Sequence, residues 1–182
     1  METDPSKEKQ TAFSAYIHDS LTGLYNRMAY EKLALPLFQQ YMQKGRPVGI
    51  LFADADHLKY INDNFGHDMG NLAIRSIASV IQQQCPVGSI SMRYGGDEFV
   101  CVIPDYSQSK IQQLKESILA SLEEFSSTSR TVFPLEASIG FVVADDPVFS
   151  LNDYINLADE KNVRREKKSA KQPANNLQEF LL

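Results

Sequence analysis

The segment GSISMRYGGDEFVCVIP, residues 88–104, constrains the fold more than any other part of the chain. Its halves, GSISMRY and EFVCVIP, have the apolar and β-branched content of strands, and Gly95-Gly96-Asp97 between them reads as a hairpin turn whose glycines can supply positive φ. A strand pair in the middle of the chain has to be covered by whatever flanks it. The turn is also expensive for a simple reversal: Asp97 and Glu98 set like charges side by side next to two flexible glycines.

The flanking segments supply the cover. After a polar start, AFSAYIHD can form a short helix and SLTGLYNR turns at Gly23. Tyr30, Leu33, Ala34, Leu37, Phe38 and Tyr41 then recur at helical spacing, with Pro36 predicting a kink or interruption. VGILFAD, residues 48–54, is a short apolar run suited to a buried strand with an acid at its end. HLKYINDNFGHDMG is polar and glycine-punctuated, and leads into a helix carrying Gly70, Ile74, Ile77 and Ile81, closed by Pro86. Ile111, Leu114, Ile118, Leu122 and Phe125 mark a further helix, LEASIGFVVA a strand, and Leu151, Tyr154, Ile155 and Ala158 the inward stripe of a last helix. Helices alternating with strands around one hairpin predict an α/β (α+β) domain, with a mixed sheet of about five strands and helices packed around it.

A chain of 182 residues, 43% hydrophobic, is long enough for one domain with a substantial core. Its net charge of -5 argues against the broad basic face of a duplex-binding protein, so nucleic acid is not an expected partner. Cys85 and Cys101 are far apart, show no metal-ligand spacing, sit at a helix end and in a buried strand, and read as reduced core or near-surface thiols of a cytoplasmic protein. The first residues lack the apolar core of a signal peptide, and no run approaches the roughly 20 apolar residues of a membrane span. The domain is expected to be soluble and to make no direct membrane contact.

Two acidic clusters need one explanation: Asp54-Ala55-Asp56 at a strand end and Asp97-Glu98 at the hairpin tip. If the two strands are neighbours, Asp54 and Glu98 converge on one divalent cation. Oxygen donors in small number suit Mg²⁺, which completes its shell with water and substrate phosphates. Two such ions can clamp an in-line phosphoryl or nucleotidyl displacement. Gly95 and Gly96 would let backbone N–H groups approach a phosphate.

HDSLTGLYNR, DADHLKYINDNFGHDMGN, RYGGDEF and ASIGF occur in the order and at about the spacings of the GGDEF domain of diguanylate cyclases, and the chain resembles that family from Asp19 to about Asn162. The resemblance implies a fold like the palm of nucleotide polymerases and class III nucleotidyl cyclases. It implies condensation of two GTP into cyclic di-GMP with release of two pyrophosphates, the 3′-hydroxyl of one GTP attacking the α-phosphate of the other across a homodimer. It further implies that Asp54, Glu98, Asp97 and the Ala55 carbonyl bind Mg²⁺ (or Mn²⁺), two ions per site, and that Asp97 is the base for the 3′-hydroxyl. Lys59 would meet the terminal phosphate, Asn62 and the residue at Asn71 the guanine, and His67 would lie near the substrate. The corresponding division of the chain is a linker helix at 1–18 leading from an upstream sensor, the GGDEF domain at 19–168, and a tail at 169–182.

This chain departs from the family pattern in specific places. Asn71 stands where an aspartate usually accepts from both guanine N1–H and the exocyclic amine; an amide cannot accept both. Losing a charge-assisted hydrogen bond of this kind costs about 1.5–3 kcal/mol. An amide does complement adenine, so a relaxed base selectivity giving cyclic GMP-AMP is one alternative. In the last helix Glu166 stands at the position of a phosphate-binding lysine and Ala170 near that of an arginine, with Arg165, Lys167 or Lys168 as substitutes from adjacent positions. Pro86-Val87-Gly88-Ser89 replaces an Arg-x-x-Asp product-inhibition site, so no product-inhibition site is expected. A degenerate, non-catalytic module that binds nucleotide and signals is the other alternative.

Overall fold

The protein, seen in a computed structural model, is described over residues 12–128 and 133–169. VGILFADA is apolar on both faces, so it can only be an interior strand: β1, Val48–Ala55, is buried at every position except Asp54. β3, Glu98–Pro104, lies on one side of it and β4, Ala137–Ala144, on the other, with β2, Ile90–Arg93, outside β3 in the order β2-β3-β1-β4. The helices α3, Leu58–Phe65, and α4, His67–Gln84, carry the chain from β1 to β2. That crossover makes β2 run parallel to β1, and the glycine turn then reverses β3 into the space between them.

Every pair of neighbouring strands is therefore antiparallel, and among the described residues the sheet has four strands. This corrects the expected mixed sheet of about five strands. The parallel component shrinks to an isolated bridge between Tyr25 and Met92 at the outer edge of β2. The segment around Tyr25 cannot extend into a fifth strand because it is already folded into a turn, with Gly23 at φ 74° and the Asn26 side chain donating to the carbonyls of Tyr16 and His18.

Period-2 alternation divides the core between the sheet's faces. Leu51, Ala53, Ala55, Phe99, Cys101, Ile103 and Ile139 face α4 and α5, Gln108–Thr128, meeting Ile74, Ile77, Ile81, Ile111, Ile118 and Leu122. Ile50, Phe52, Val100, Val102 and Val142 face α2, Leu35–Gln43, and α6, Leu151–Ser169, meeting Phe38, Leu151, Tyr154, Ile155 and Ala158. The stripes expected from helical spacing on α4, α5 and α6 are the buried ones. Asp54 and Glu98 belong to the second set by register, so they continue the α6 face beyond the core.

The interruption expected at Pro36 is present as a change of helix type. Tyr30–Ala34 is a π-helical stretch, and Pro36 falls in the first turn of α2, where a missing N–H leaves no bond unmade. HLKYINDNFGHDMG proves more regular than its polarity suggests. It forms α3 and the start of α4, joined at Gly66, whose φ of 86° ends one helix and opens the other.

The N-terminal segment latches onto the hairpin. α1, residues 12–17, ends in a tight turn held by Thr22 N and Oγ1 donating to Asp19 Oδ1 at 2.9 and 2.7 Å. Tyr25 N donates to Ser91 O and Arg93 N to Tyr25 O, attaching this turn to β2. From β2 the Arg93 guanidinium reaches both ways: Nε and Nη2 donate to the Gly96 carbonyl at 3.1 and 2.7 Å, and Nη1 sits 3.3 Å from both Asp19 carboxylate oxygens. Arg27 stacks over the Tyr94 ring at 4.9 Å. HDSLTGLYNR is thus the buttress of the RYGGDEF turn.

Two outcomes follow from these contacts. A Cβ built on Gly140 would overlap the Ala158 carbonyl and lie 2.7 Å from Asn162 N, because β4 and α6 touch backbone to backbone there. Gly140→Ala should cost about 1–3 kcal/mol, read as a lower urea midpoint with unchanged m-value; an unshifted midpoint contradicts the contact. Asp19 supplies a pH dependence. Burial raises its carboxyl, but the Thr22 hydrogen bonds and the Arg93 charge together outweigh burial and hold its pKa below the ordinary aspartate value. Its stabilisation is therefore complete above the unfolded pKa near 4 and lost as pH falls through the lower folded value. Below about pH 4, unfolding free energy should fall more steeply for the native protein than for Asp19→Asn; parallel slopes contradict it.

Candidate functional site

The paired strands bring the two acidic clusters together. Asp54 lies directly opposite Glu98 across the β1–β3 pair, and opposite Ser138 across β1–β4. Directly opposite side chains share a face with Cβ atoms roughly 4.5–5.5 Å apart. Both carboxylates are half-buried at the sheet end, where β1 and β3 meet the turn. The Ala55 N–H donates to the Asp97 carbonyl at 3.0 Å, so the strand end and the hairpin tip are bonded to each other through backbone. On the other flank Asp56 N donates to Glu136 O, and Ser138 Oγ donates to Asp56 Oδ1 at 2.8 Å.

The glycines at the tip serve a different purpose from the one their type suggests. Neither Gly95 nor Gly96 has positive φ; among the described glycines that conformation belongs to Gly23, Gly45, Gly66 and Gly88. Tyr94 N and Gly95 N both donate to Glu98 O, at 2.8 and 3.2 Å, closing the turn around Gly95-Gly96-Asp97. A Cβ on Gly95 would overlap Glu98 Oε2, so glycine there lets the Glu98 carboxylate lie against the turn. Gly96 is exposed, and a Cβ built on it meets nothing within 4 Å. The space in front of the turn is open.

The polar residues expected to contact a ligand lie on the helix pair that follows β1. Lys59, His67 and Asn71 are exposed, and Asn62 is half-buried between α3 and α4. A Cβ on Gly70 would overlap Asn62 Oδ1, so Gly70 admits the Asn62 amide and fixes it one residue from Asn71. His57 caps α3 in the left-handed region, φ 61°, with Nε2 3.6 Å from Glu136 Oε2. The side chains of Arg165, Glu166, Lys167 and Lys168, and Ala170 as a whole, lie outside the described residues.

As a donor set, Asp54 and Glu98 are hard oxygen ligands held face to face, which fits a dication such as Mg²⁺ that keeps several waters. Among the described residues no group of three or more His, Cys, Asp or Glu forms a ready-made metal cage. The protein can contribute a pair of facing carboxylates, with further ligands left to solvent or substrate. Sequence reasoning passed over Arg93, Asp19 and Ser138, which hold the turn and Asp56 in place. The signal for Arg93 was present: a guanidinium immediately before a glycine turn has carbonyls within its reach.

Comparison with known proteins agrees with this geometry. The chain matches the family described as diguanylate cyclase, GGDEF domain, over residues 16–172. It is 37% identical over 130 residues to the diguanylate cyclase VdcA of Vibrio cholerae, covering 69% of this chain and 37% of that protein. It is 30% identical over 124 residues to the cyclic di-GMP phosphodiesterase NbdA of Pseudomonas aeruginosa, covering 68% of this chain and 16% of that protein. The chain thus spans well under half the length of these curated relatives. Among solved structures, the coiled coil and GGDEF domain of DgcB from Caulobacter crescentus, in complex with c-di-GMP, superposes with a TM-score of 0.83 at 24% identity, covering 90% of this chain and 87% of that one. With the family's residues spanning both strands of the acidic hairpin and the helices behind it, this chain belongs to the GGDEF-domain family of diguanylate cyclases.

Proposed function

We propose that this chain is the catalytic domain of a diguanylate cyclase, condensing two GTP into cyclic di-GMP and two pyrophosphates with Mg²⁺. The observation that carries the reading is the register that sets Asp54 against Glu98. Two half-buried carboxylates opposite each other at a sheet end, with open space before the adjoining turn, are the hard oxygen donors a divalent cation takes. That cation, when bound, supplies positive charge to the triphosphate.

The chain's own groups divide the remaining work. Asp54 and Glu98, with the Ala55 carbonyl, hold the metal, and Asp97 at the tip both assists and accepts the proton of the attacking 3′-hydroxyl. The open approach at Gly96 and the N–H groups of Gly95 and Gly96 receive phosphate oxygens. Lys59 meets the terminal phosphate, and His67 lies at the substrate's edge. Asn62, fixed over Gly70, and Asn71 read the base. Asn71 supports guanine by one acceptor rather than two, so affinity falls before selectivity is lost. Each domain holds one GTP, so catalysis requires a second copy of the chain facing the first. An upstream sensor, joined through residues 1–18, brings the copies together in the cytoplasm, and 19–168 is the catalytic unit with 169–182 as its tail.

One observation favours a second reading. NbdA, whose name is that of a phosphodiesterase, aligns with most of this chain, so the domain also occurs in proteins named for another activity. A nucleotide-binding module without turnover is the corresponding possibility here, and Glu166 in place of lysine fits it.

Incubation of the protein at rising concentration with Mg²⁺ and GTP, ATP or both, followed by pyrophosphate release and product mass, tests these readings together. Cyclic di-GMP is expected from GTP and from the mixture, at a rate rising more than linearly with protein. Asp97→Ala should lower it by about 10²–10⁴-fold, the usual contribution of a general base. GTP binding without pyrophosphate at any concentration would leave only the signalling module, and a cyclic GMP-AMP product would assign Asn71 to relaxed base selectivity.

A further inference from the structure

Asp54 and Asp56 are both half-buried acids at the end of β1, but they have different neighbours. Asp54 lies opposite a second carboxylate, that of Glu98. Ser138 of β4 is buried and lies directly opposite Asp54 on the other flank, yet its hydroxyl donates to Asp56 Oδ1 at 2.8 Å. A hydroxyl carries one proton, and Ser138 gives it to the diagonal neighbour rather than to the one across from it. Asp56 N also donates to Glu136 O at 3.0 Å, so Asp56 is tied to the start of β4 through both backbone and side chain. His57 follows at φ 61°, a left-handed conformation uncommon outside glycine, and the chain leaves the sheet there. The Asp56 clamp therefore sits where β1 gives way to that turn.

These bonds fix the direction of one peptide plane. In a trans peptide the C=O and the N–H point to opposite sides. The peptide joining Ala55 to Asp56 aims its N–H at Glu136 O, on the β4 side, so the Ala55 carbonyl is aimed at the β3 side. That is the side on which Ala55 N meets the Asp97 carbonyl at 3.0 Å, beside the hairpin tip. A rotation of this one plane would swing the Ala55 carbonyl away from Asp97 and Glu98 while leaving the ladder from Val48 to Asp54 as it is.

On the metal role proposed above for Asp54, Glu98 and the Ala55 carbonyl, we propose that Asp56 and Ser138 are positioning residues. Together they clamp the end of β1 to β4 and aim the Ala55 carbonyl at the cation, and Asp56 is not itself a ligand. Two acids one residue apart thus have separate tasks, set by their partners: a facing carboxylate for Asp54, a buried hydroxyl for Asp56.

Mn²⁺ binding in the presence of a non-hydrolysable GTP analogue, followed by electron paramagnetic resonance and paired with amide hydrogen exchange, tests the clamp. Ser138→Ala and Asp56→Ala should each weaken Mn²⁺ binding about 10–100-fold, the range for losing a group that orients a ligand. The double variant should be close to either single one, because both remove the same contact. Exchange at the Asp56 amide should quicken in Ser138→Ala while exchange at Leu51, in the middle of β1, keeps its native rate. Asp56→Asn retains an acceptor for Ser138 but not the charge, and should bind Mn²⁺ close to the native level; this comparison stands even where Ser138→Ala unfolds. A loss in Asp56→Asn as large as in Asp54→Asn would make Asp56 a ligand and overturn the proposal, as would native Mn²⁺ binding by folded Ser138→Ala. A native protein that took up no Mn²⁺ with the analogue would instead overturn the metal reading itself, and the clamp with it.

Discussion

The β1–β3 register is the constraint on which the rest depends. Asp54 and Glu98 are each placed by backbone hydrogen bonding several residues deep in the sheet, and a slip by one residue would turn either side chain to the opposite face. The register is secured by the core: Ile50, Phe52, Val100 and Val102 fall on the α2–α6 side while Leu51, Ala53, Phe99 and Cys101 fall on the α4–α5 side. Packing of ordinary apolar residues thus sets two carboxylates opposite each other at the sheet end.

Glycine has a consistent use in this chain that differs from conformational freedom. At Gly95, Gly70 and Gly140 the missing Cβ makes room for another group: the Glu98 carboxylate, the Asn62 amide and the backbone of α6 respectively. The first two of these groups belong to the proposed site and the third sets how closely α6 covers the sheet. The Arg93 fork adds the remaining restraint, joining the Gly96 carbonyl to Asp19 so that the N-terminal segment and the glycine turn are one mechanical unit.

Much of this was legible in the sequence because it is periodic. The stripes on α4, α5 and α6, the interior character of β1 and the hairpin all rest on spacing that tertiary structure rarely overrides. The convergence of Asp54 and Glu98 was legible only conditionally, since strand adjacency is non-local. What could not be read depended on through-space partners. Pro36 pointed to an interruption, but residue type could not say that it would take the form of a π-helical stretch before the proline. Gly95 and Gly96 looked like positive-φ residues because residue type does not say what occupies the missing Cβ. Arg93 was quoted as part of a motif, but its two partners lie on different segments.

The proposed function requires the sheet register to build a divalent-cation site completed by nucleotide. Mn²⁺ titration followed by electron paramagnetic resonance, with and without a non-hydrolysable GTP analogue, tests that claim most directly. The native protein should remove free Mn²⁺ signal far more strongly with the analogue present, and the Asp54→Asn, Glu98→Gln double variant should bind at least about tenfold more weakly, the least expected for lost ligands given about 1.4 kcal/mol per factor of ten. Equal Mn²⁺ binding by the native protein and the double variant, in the presence of the analogue, would contradict it.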